Sequence, residues 1–186
     1  MSVLLTTPRL TLRRFTEADA QLLFDLDRDP DVTRYTEPGH VTLDEYAAKI
    51  RGQFRTYYAA HPARGFFAAI ETATGEFVGW FVLRPTPDYR HAADAGFTDP
   101  SEVELGYRLR QPFWGQGLAT EGGRALVDLV FAEPAVTAVV ACAIEANRAS
   151  TRVMEKLGLT RQRTFPVPGF DSPGVVYTRS RSAGLT

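Results

Sequence analysis

The clearest pattern of hydrophobic and polar positions lies between residues 102 and 130 of the 186-residue chain. It begins with an alternation typical of a β-strand, with Val103, Leu105, Tyr107 and Leu109 on one face and Glu102, Glu104, Gly106 and Arg108 on the other. A stripe at helical spacing follows and comprises Leu118, Gly122, Ala125, Leu126, Leu129 and Val130. The pattern predicts a strand, a tight turn and an α-helix.

The turn between these two elements contains Gly115 and Gly117. Glycine adopts backbone conformations that other residues avoid, and it lets a ligand approach the chain closely. The start of a helix also presents backbone N–H groups without intrahelical partners, at the positive end of the helix dipole. We therefore expect the turn to bind an anion, most plausibly a pyrophosphate. An ordinary tight turn is the alternative interpretation.

The residues before this unit predict two helices and three strands. Leu10 and Leu12 alternate with polar residues in a first strand, and Thr16 caps a helix that ends at Asp29. Thr42–Tyr58 predicts a second helix with one hydrophobic face, formed by Tyr46, Ile50, Phe54 and Tyr57. Residues 65–71 and 76–83 predict a hairpin of adjacent strands. Pro85–Pro100, with three prolines, predicts an irregular loop.

The residues after this unit predict a crossover and two further strands. Val136–Ile144 is an apolar run typical of a strand covered on both faces, and it should lie parallel to residues 102–109. Asn147–Leu157 predicts a helix capped by Asn147, with Ser150, Val153, Met154 and Leu157 facing inward. Residues 159–165 and 175–181 predict the last strands. No linker is evident, so we expect one domain over residues 1–186.

Composition excludes several classes of function. Lysine and arginine total 21 and aspartate and glutamate 22, so no basic field indicates a nucleic-acid partner. Cys142 is the sole cysteine, which excludes an internal disulfide, and its apolar surroundings in sequence predict a buried side chain. No apolar run reaches the roughly 18 residues of a membrane span, and Val3–Leu5 is too short for a signal peptide. We expect a cytoplasmic protein without a membrane partner.

Three motifs in a fixed order resemble a known family: RLTLRRF from Arg9, WGQGLATE from Trp114 and NRASTRVMEKLGL from Asn147. Together with ELGY before the turn, they resemble the GNAT N-acetyltransferase superfamily, in particular the branch that includes ribosomal-protein N-terminal acetyltransferases. The resemblance covers Arg9 to Tyr177. It implies a mixed α/β GNAT-like fold, with a twisted mixed sheet of about six or seven strands, a splayed parallel pair and about four flanking helices.

The resemblance also implies an enzyme that transfers an acetyl group from acetyl-CoA, its cosubstrate, to a primary amine by direct attack in a ternary complex. The implied pyrophosphate-binding residues are Trp114, Gly115, Gln116, Gly117, Leu118, Ala119 and Thr120. The implied contacts of the pantetheine arm are the backbone of Tyr107, Arg108 and Leu109, the side chain of Asn147, and Ser150. Asn147 as a helix cap alone is the rival interpretation.

Two positions depart from the superfamily pattern. Trp114 stands where a glutamine or arginine usually opens the phosphate motif. Met154 stands where many members have a tyrosine that protonates the leaving thiolate. Since a CoA thiol has a pKa close to that of free cysteine, direct expulsion of the thiolate or protonation through water is chemically tolerable.

An acceptor ammonium must lose a proton before its nitrogen attacks a thioester, so a carboxylate is needed near the reacting atoms. Glu104, on the polar face of the central strand, is the first candidate for this base. Glu102 shares that face and could bind the ammonium or relay a proton. A solvated side chain or half of an ion pair is the alternative for either. His40, His61 and His91 lie in or beside loops without ligand spacing, so no metal site is predicted.

The acceptor amine is not identified by the sequence. In this fold type the acceptor surface is formed by Asp29–Gly39 and Pro166–Gly174, whose acids and aromatics suit a cationic amine: Asp29, Asp31, Glu37, Asp171, Tyr35 and Phe170. Protein N-termini, small amines, amino acids and antibiotic amines all stay open as acceptors, as does a homodimer. The alternatives to a general N-acetyltransferase are a non-catalytic CoA-binding or sensing module and an antibiotic-amine acetyltransferase.

Overall fold

The computed structural model describes residues 2–36 and 41–181. Its strands are β1 Val3–Thr6, β2 Leu10–Arg14, β3 Gly65–Glu71, β4 Phe77–Pro85, β5 Glu102–Leu109, β6 Ala138–Ile144, β7 Thr160–Phe165 and β8 Gly174–Ser180. They form one sheet in the order β1-β2-β3-β4-β5-β6-β8-β7. The predicted mixed α/β fold with a mixed sheet is confirmed, and the sheet has eight strands in the described residues rather than six or seven.

The additional strand is β1, which pairs antiparallel with β2. Its four side chains are exposed or half-buried, so the sequence shows no alternation there. Backbone hydrogen bonds hold it, including one from the Arg14 N–H to the Ser2 carbonyl at 3.0 Å. Pairing with a neighbouring strand, rather than burial, accounts for this element.

The helices of the described residues are α1 Ala20–Arg28, α2 Pro30–Thr33, α3 Leu43–Lys49, α4 Arg55–Ala60, α5 Arg90–Asp94, α6 Leu118–Phe131 and α7 Arg148–Lys156. The four predicted helical segments are confirmed, and α2 and α5 are additional. The prediction of an irregular loop over Pro85–Pro100 is therefore wrong at α5. A five-residue helix is too short to show a hydrophobic period, and its buried residue, Ala92, is small.

The chain divides into two compact units, and the first contains Met1–Val82 and Tyr107–Gly122. Within it, β2 pairs antiparallel with β3, and the core includes an aromatic cluster of Phe15, Phe54 and Phe77. Thr42 and Glu45 form the capping box that opens α3. The predicted helix start at Thr42 is thus confirmed by the bonds that satisfy the first N–H groups of α3, whereas Thr16 precedes a 3-10 turn at Glu17–Asp19 and α1 begins only at Ala20.

One turn of π-helix, Ile50–Phe54, joins α3 to α4 and corrects the predicted buried face. The buried side chains are Tyr46, Ile50, Phe54 and Tyr58, whereas Tyr57 is half-buried. A π-turn contains one residue more than an α-turn, so a spacing of four residues keeps the same face toward the core. The sequence pattern alone placed Tyr57 there because it assumed a regular α-helix.

The second unit contains Leu83–Gly106 and Gly123–Thr186. Here β5 and β6 are parallel, paired from Glu102 with Ala138 to Glu104 with Val140, which confirms the predicted pair. Strand β8 lies antiparallel to β6 and pairs with β7 on its other side. Helix α7 buries Thr151 and Met154, while Ser150 and Val153, predicted to face inward, are half-buried. The single-domain organisation stays a prediction.

Candidate active site

The turn after β5 has the backbone conformation that its glycines predicted. Gly115 has a φ of +73° and Gly117 a φ of +80°, immediately before the first residue of the 14-residue helix α6. A Cβ at Gly115 would meet no heavy atom within 4 Å, so backbone conformation rather than space requires glycine there. The N–H groups at the start of α6 have no intrahelical acceptors, which makes this end of the helix suited to an anion.

Side chains within the turn tie it to the end of β5. The Trp114 indole Nε1–H donates to the Leu109 carbonyl at 2.7 Å, although the residue is 45% exposed. The Gln116 side-chain amide donates to the Pro112 carbonyl at 2.8 Å. Trp114 thus fixes the position of the turn relative to the strand. This contact gives the tryptophan a structural role beside the cofactor contact that the resemblance implied.

Two residues that the sequence reasoning did not single out also hold this turn. Glu121, in the first turn of α6, accepts hydrogen bonds from the Thr7 hydroxyl at 2.6 Å and from the Arg9 backbone N–H at 2.9 Å. The Arg9 guanidinium pairs with the same carboxylate at 2.7 Å and donates through Nη1 to the Gln116 carbonyl at 3.0 Å. Burial opposes ionisation, but these bonds hold the pKa of Glu121 below its ordinary value. The partners lie more than 100 residues apart, so no local pattern reveals them.

The end of β5 lies close to β4. Gly79 has a φ of +150°, and a Cβ there would stand 2.1 Å from the Arg108 carbonyl oxygen, so only glycine permits this approach. The Arg108 side chain forms an ion pair with Asp27, which also accepts a hydrogen bond from the Tyr46 hydroxyl, and lies over the Trp80 ring at 5.3 Å. Burial and Asp27 raise the pKa of Tyr46. The partners of Arg108, Asp27 on α1 and Trp80 on β4, were not predicted, and neither was the bond from Tyr46 on α3 to Asp27.

The first candidate base, Glu104, is buried, with 3% of its surface exposed. It accepts a hydrogen bond from the Arg84 Nε–H at 2.8 Å, and Arg84 in turn lies over the Tyr89 ring at 4.2 Å. Burial raises the pKa of Glu104, and the Arg84 charge opposes that rise. Glu104 is therefore half of an ion pair, in a setting that perturbs its proton affinity.

Glu102, the second candidate, is half-buried on the same face of β5. Burial, followed by the nearby Asp99 carboxylate, raises its pKa. It is more accessible to solvent than Glu104. Both carboxylates thus hold a proton more readily than a solvated glutamate does.

Cys142 stands on β6, two residues beyond Val140, the register partner of Glu104. Burial raises the pKa of its thiol, and the Glu104 charge raises it further. A thiol with a raised pKa is a poor nucleophile near neutral pH because little thiolate is present. Cys142 is free and half-buried rather than fully buried as predicted, and its raised pKa agrees with the prediction that it is not a nucleophile.

Asn147 follows β6 and caps α7. Its side-chain oxygen accepts a hydrogen bond from the Ser150 backbone N–H at 3.2 Å, which confirms the predicted cap. Asn147 and Ser150 are both half-buried. Met154, one turn further along, is 2% exposed and belongs to the core. A proton donor is thus absent at the position where many family members carry a tyrosine.

The two predicted acceptor segments are Asp29–Gly39 and Pro166–Gly174. In the first, Asp29 caps α2, and the Asp31 carboxylate accepts from the Gln111 side-chain amide at 3.2 Å. Glu37, Gly39 and His40 lie outside the described residues. In the second, Phe170 is half-buried and Asp171 is exposed. Among the described residues no group of three or more His, Cys, Asp or Glu side chains could hold a metal ion, and no helix is long and apolar enough to cross a membrane.

Residues 9–160 match the family model of the acetyltransferase (GNAT) domain. The chain belongs to the GNAT acetyltransferase family. The family that the sequence motifs resembled is therefore confirmed, and with it the prediction of an N-acetyltransferase enzyme.

Known relatives agree with this assignment. The chain is 33% identical, over 97% of its length, to FsC-acetyl coenzyme A-N(2)-transacetylase of Aspergillus fumigatus, of which it covers 77%. It is 29% identical, over 94% of its length, to aminoglycoside N(6')-acetyltransferase type 1 of Klebsiella pneumoniae, of which it covers 84%. A solved RimL ribosomal L7/L12 alpha-N-protein acetyltransferase in complex with coenzyme A has the same fold, with a TM-score of 0.73, 15% identity and coverage of 96% of this chain and 98% of that one.

Proposed function

We propose that this GNAT family member transfers the acetyl group of acetyl-CoA to a primary amine by direct attack within a ternary complex. The observation that carries the proposal is the continuity of β5. The strand bears Glu102 and Glu104 on one face and is followed, after a short 3-10 helix at Gln111–Phe113, by a turn whose Gly115 and Gly117 have positive φ before the start of α6. Donor binding and acceptor activation would then use opposite ends of one strand.

The donor would be held mainly by backbone groups. The N–H groups of residues 115–120 fit a pyrophosphate because the two left-handed glycines and the helix start direct several donors outward. Tyr107, Arg108 and Leu109 would pair with the pantetheine arm through their backbone groups. Acetyl-CoA supplies an acetyl thioester that an amine can attack.

The acceptor would be activated by Glu104. A general base needs a pKa high enough to take a proton yet must be ionised at the working pH. Burial raises the pKa of Glu104, and the Arg84 charge opposes that rise and so favours the ionised carboxylate. Glu102, which is more accessible, would bind the acceptor ammonium or relay its proton through water. Both roles keep the acceptor nitrogen on the polar face of β5.

The thiolate of CoA would leave without a tyrosine acid, because the corresponding position is the buried Met154. Its ordinary pKa makes this loss tolerable near neutral pH. Direct transfer, rather than an acyl-enzyme, also accords with Cys142, whose raised pKa disfavours the nucleophilic thiolate.

A small-molecule amine is the acceptor class that the relatives favour. The named relatives at 33% and 29% identity are an N(2)-transacetylase and an aminoglycoside N(6')-acetyltransferase. The half-buried ion pair of Arg108 with Asp27, beside Trp80, provides polar and aromatic surface at the end of β5, which suits a cationic amine. An antibiotic amine is therefore a specific form of this proposal rather than a different activity.

The test is a CoA-release assay with a panel of amines that includes aminoglycosides, diamines, amino acids and peptides with free N-termini. The expected result is thiol release that depends on at least one amine, with an acetylated product detected by mass spectrometry and intersecting initial-velocity lines. Tight acetyl-CoA binding with no turnover on any amine would favour a non-catalytic CoA-binding module instead. Parallel lines would indicate an acyl-enzyme and contradict direct attack.

A further inference from the structure

The Arg9 side chain makes two contacts of different kinds at the start of α6. It pairs with the Glu121 carboxylate, at 2.7 Å from both Nε and Nη2, and it donates from Nη1 to the Gln116 carbonyl at 3.0 Å. Its Nη2 lies 3.7 Å from the position that a Cβ would take at Gly117. The guanidinium thus lies against the outside of the glycine turn, although it comes from the segment just before β2.

The hydrogen bond from Arg9 to the Gln116 carbonyl sets the direction of a peptide group. In a planar trans peptide the carbonyl of one residue and the N–H of the next point in opposite directions. Because the Gln116 carbonyl points toward Arg9, the Gly117 N–H points away from it. Gly117 has a left-handed φ and no Cβ, so it restricts rotation of this peptide group less than another residue would. The Arg9 hydrogen bond therefore restricts the peptide rotation that the glycine would otherwise permit.

The ion pair between Arg9 and Glu121 changes the charge at the start of α6. Glu121 lies in the first turn of α6, where its negative charge is favourable for the helix but would repel a bound anion. Its carboxylate accepts hydrogen bonds from the Thr7 hydroxyl and from the Arg9 backbone and side chain. The Arg9 charge compensates that of Glu121 and keeps it turned toward the β1–β2 connection.

We propose that Arg9 is a positioning residue of the donor site, which orients the Gly117 amide and neutralises Glu121 so that the turn accepts a pyrophosphate. The inference rests on the proposed function, since it presumes a donor that carries a pyrophosphate. It adds a residue from the N-terminal segment to a site otherwise formed by the turn itself.

The experiment is a calorimetric titration of acetyl-CoA into the full chain, Arg9→Met and Arg51→Met. Arg51 forms another Arg–Glu pair at 3.0 Å, with Glu17, and both side chains of that pair are about half exposed, so it serves as the matched control. We expect the dissociation constant to rise about tenfold in Arg9→Met, the size of one hydrogen bond to a charged group, and to stay unchanged in Arg51→Met. Equal affinity of Arg9→Met and the unaltered chain would overturn the inference.

A second measurement separates positioning from general stability. S-acetylpantetheine lacks the pyrophosphate, so its KM as a donor should not change in Arg9→Met, whereas the KM for acetyl-CoA should rise. A parallel rise for both donors would assign Arg9 a merely structural role. If Arg9→Met does not fold, Arg9→Lys keeps the charge but cannot bond both acceptors with a rigid fork, and it should show the same split to a smaller degree. Failure of the unaltered chain to bind acetyl-CoA would instead overturn the proposed function, and the inference with it.

Discussion

The glycine turn at residues 115–117 and the polar face of β5 differ in how they are built. The turn uses backbone conformation, with Gly115 at a φ of +73° in open space. The strand face uses side chains from different elements, since Glu104 is held by Arg84 on β4. Under the proposed function, the donor would be bound mainly by the backbone of one local segment, which the Arg9 side chain supports, whereas acceptor activation would depend on side chains brought together by tertiary contacts.

Glu104→Gln is expected to have the largest effect on the strand face. Loss of a general base lowers kcat by about a hundredfold or more, because the amide cannot take the ammonium proton. Glu102→Gln should lower kcat less, since the Glu102 carboxylate binds the acceptor ammonium or relays its proton through water. Steady-state kinetics on the best acceptor of the amine panel compares the two. An equal or larger loss in Glu102→Gln would reverse their assignment.

Gly115→Ala tests the turn, and the chain contains a matched control. Gly75, between β3 and β4, has a φ of +74°, and a Cβ there would also meet no heavy atom within 4 Å. A left-handed alanine costs about 1–2 kcal/mol at either position, so both variants should lose similar stability in thermal unfolding. The acetyl-CoA dissociation constant should rise by up to about tenfold in Gly115→Ala alone. A similar rise in Gly75→Ala would show that stability, not the turn, controls binding.

The Arg84–Glu104 pair predicts a pH dependence. Glu104 must be ionised to act as a base, so kcat/KM falls as the pH drops through its pKa. Burial raises that pKa and Arg84 lowers it, so Arg84→Met should move the acidic limb of the pH profile to higher pH. Cys142, which interacts with Glu104, is neutral at that pH, and Glu102 lies on the same strand face. An unmoved limb, with activity lost equally at all pH values, would mean that Arg84 acts only on the fold.

The smallest expected effect concerns Cys142, which reports on Glu104 without turnover. The Glu104 charge contributes to the raised pKa of the thiol, after burial. Glu104→Gln should therefore speed alkylation of Cys142 a few-fold at a fixed alkaline pH, because more thiolate is present. Mass spectrometry follows this reaction at the single cysteine. A slower reaction would contradict the placement of the two side chains beside each other.

The contrast between a locally formed turn and a strand face held by distant side chains also explains which features the sequence could predict. Glycine spacing, caps and strand alternation are local, so the turn, the parallel pair and the cap at Asn147 all followed from the pattern. The π-turn at Ile50–Phe54 shifted the buried face to Tyr58, and the short helix α5 left no period to detect. Arg84, Asp27 and Arg9 were missed as partners because each contact joins residues at least 20 positions apart.

The most direct test of this division between turn and strand is the affinity of Glu104→Gln for acetyl-CoA, measured by calorimetry on the protein whose kcat is reduced. If the strand face activates the acceptor while the turn binds the donor, the dissociation constant should stay within about twofold of that of the unaltered chain. A loss of acetyl-CoA binding that matches the loss of turnover would contradict the account, because Glu104 would then serve the donor site or the fold rather than the acceptor.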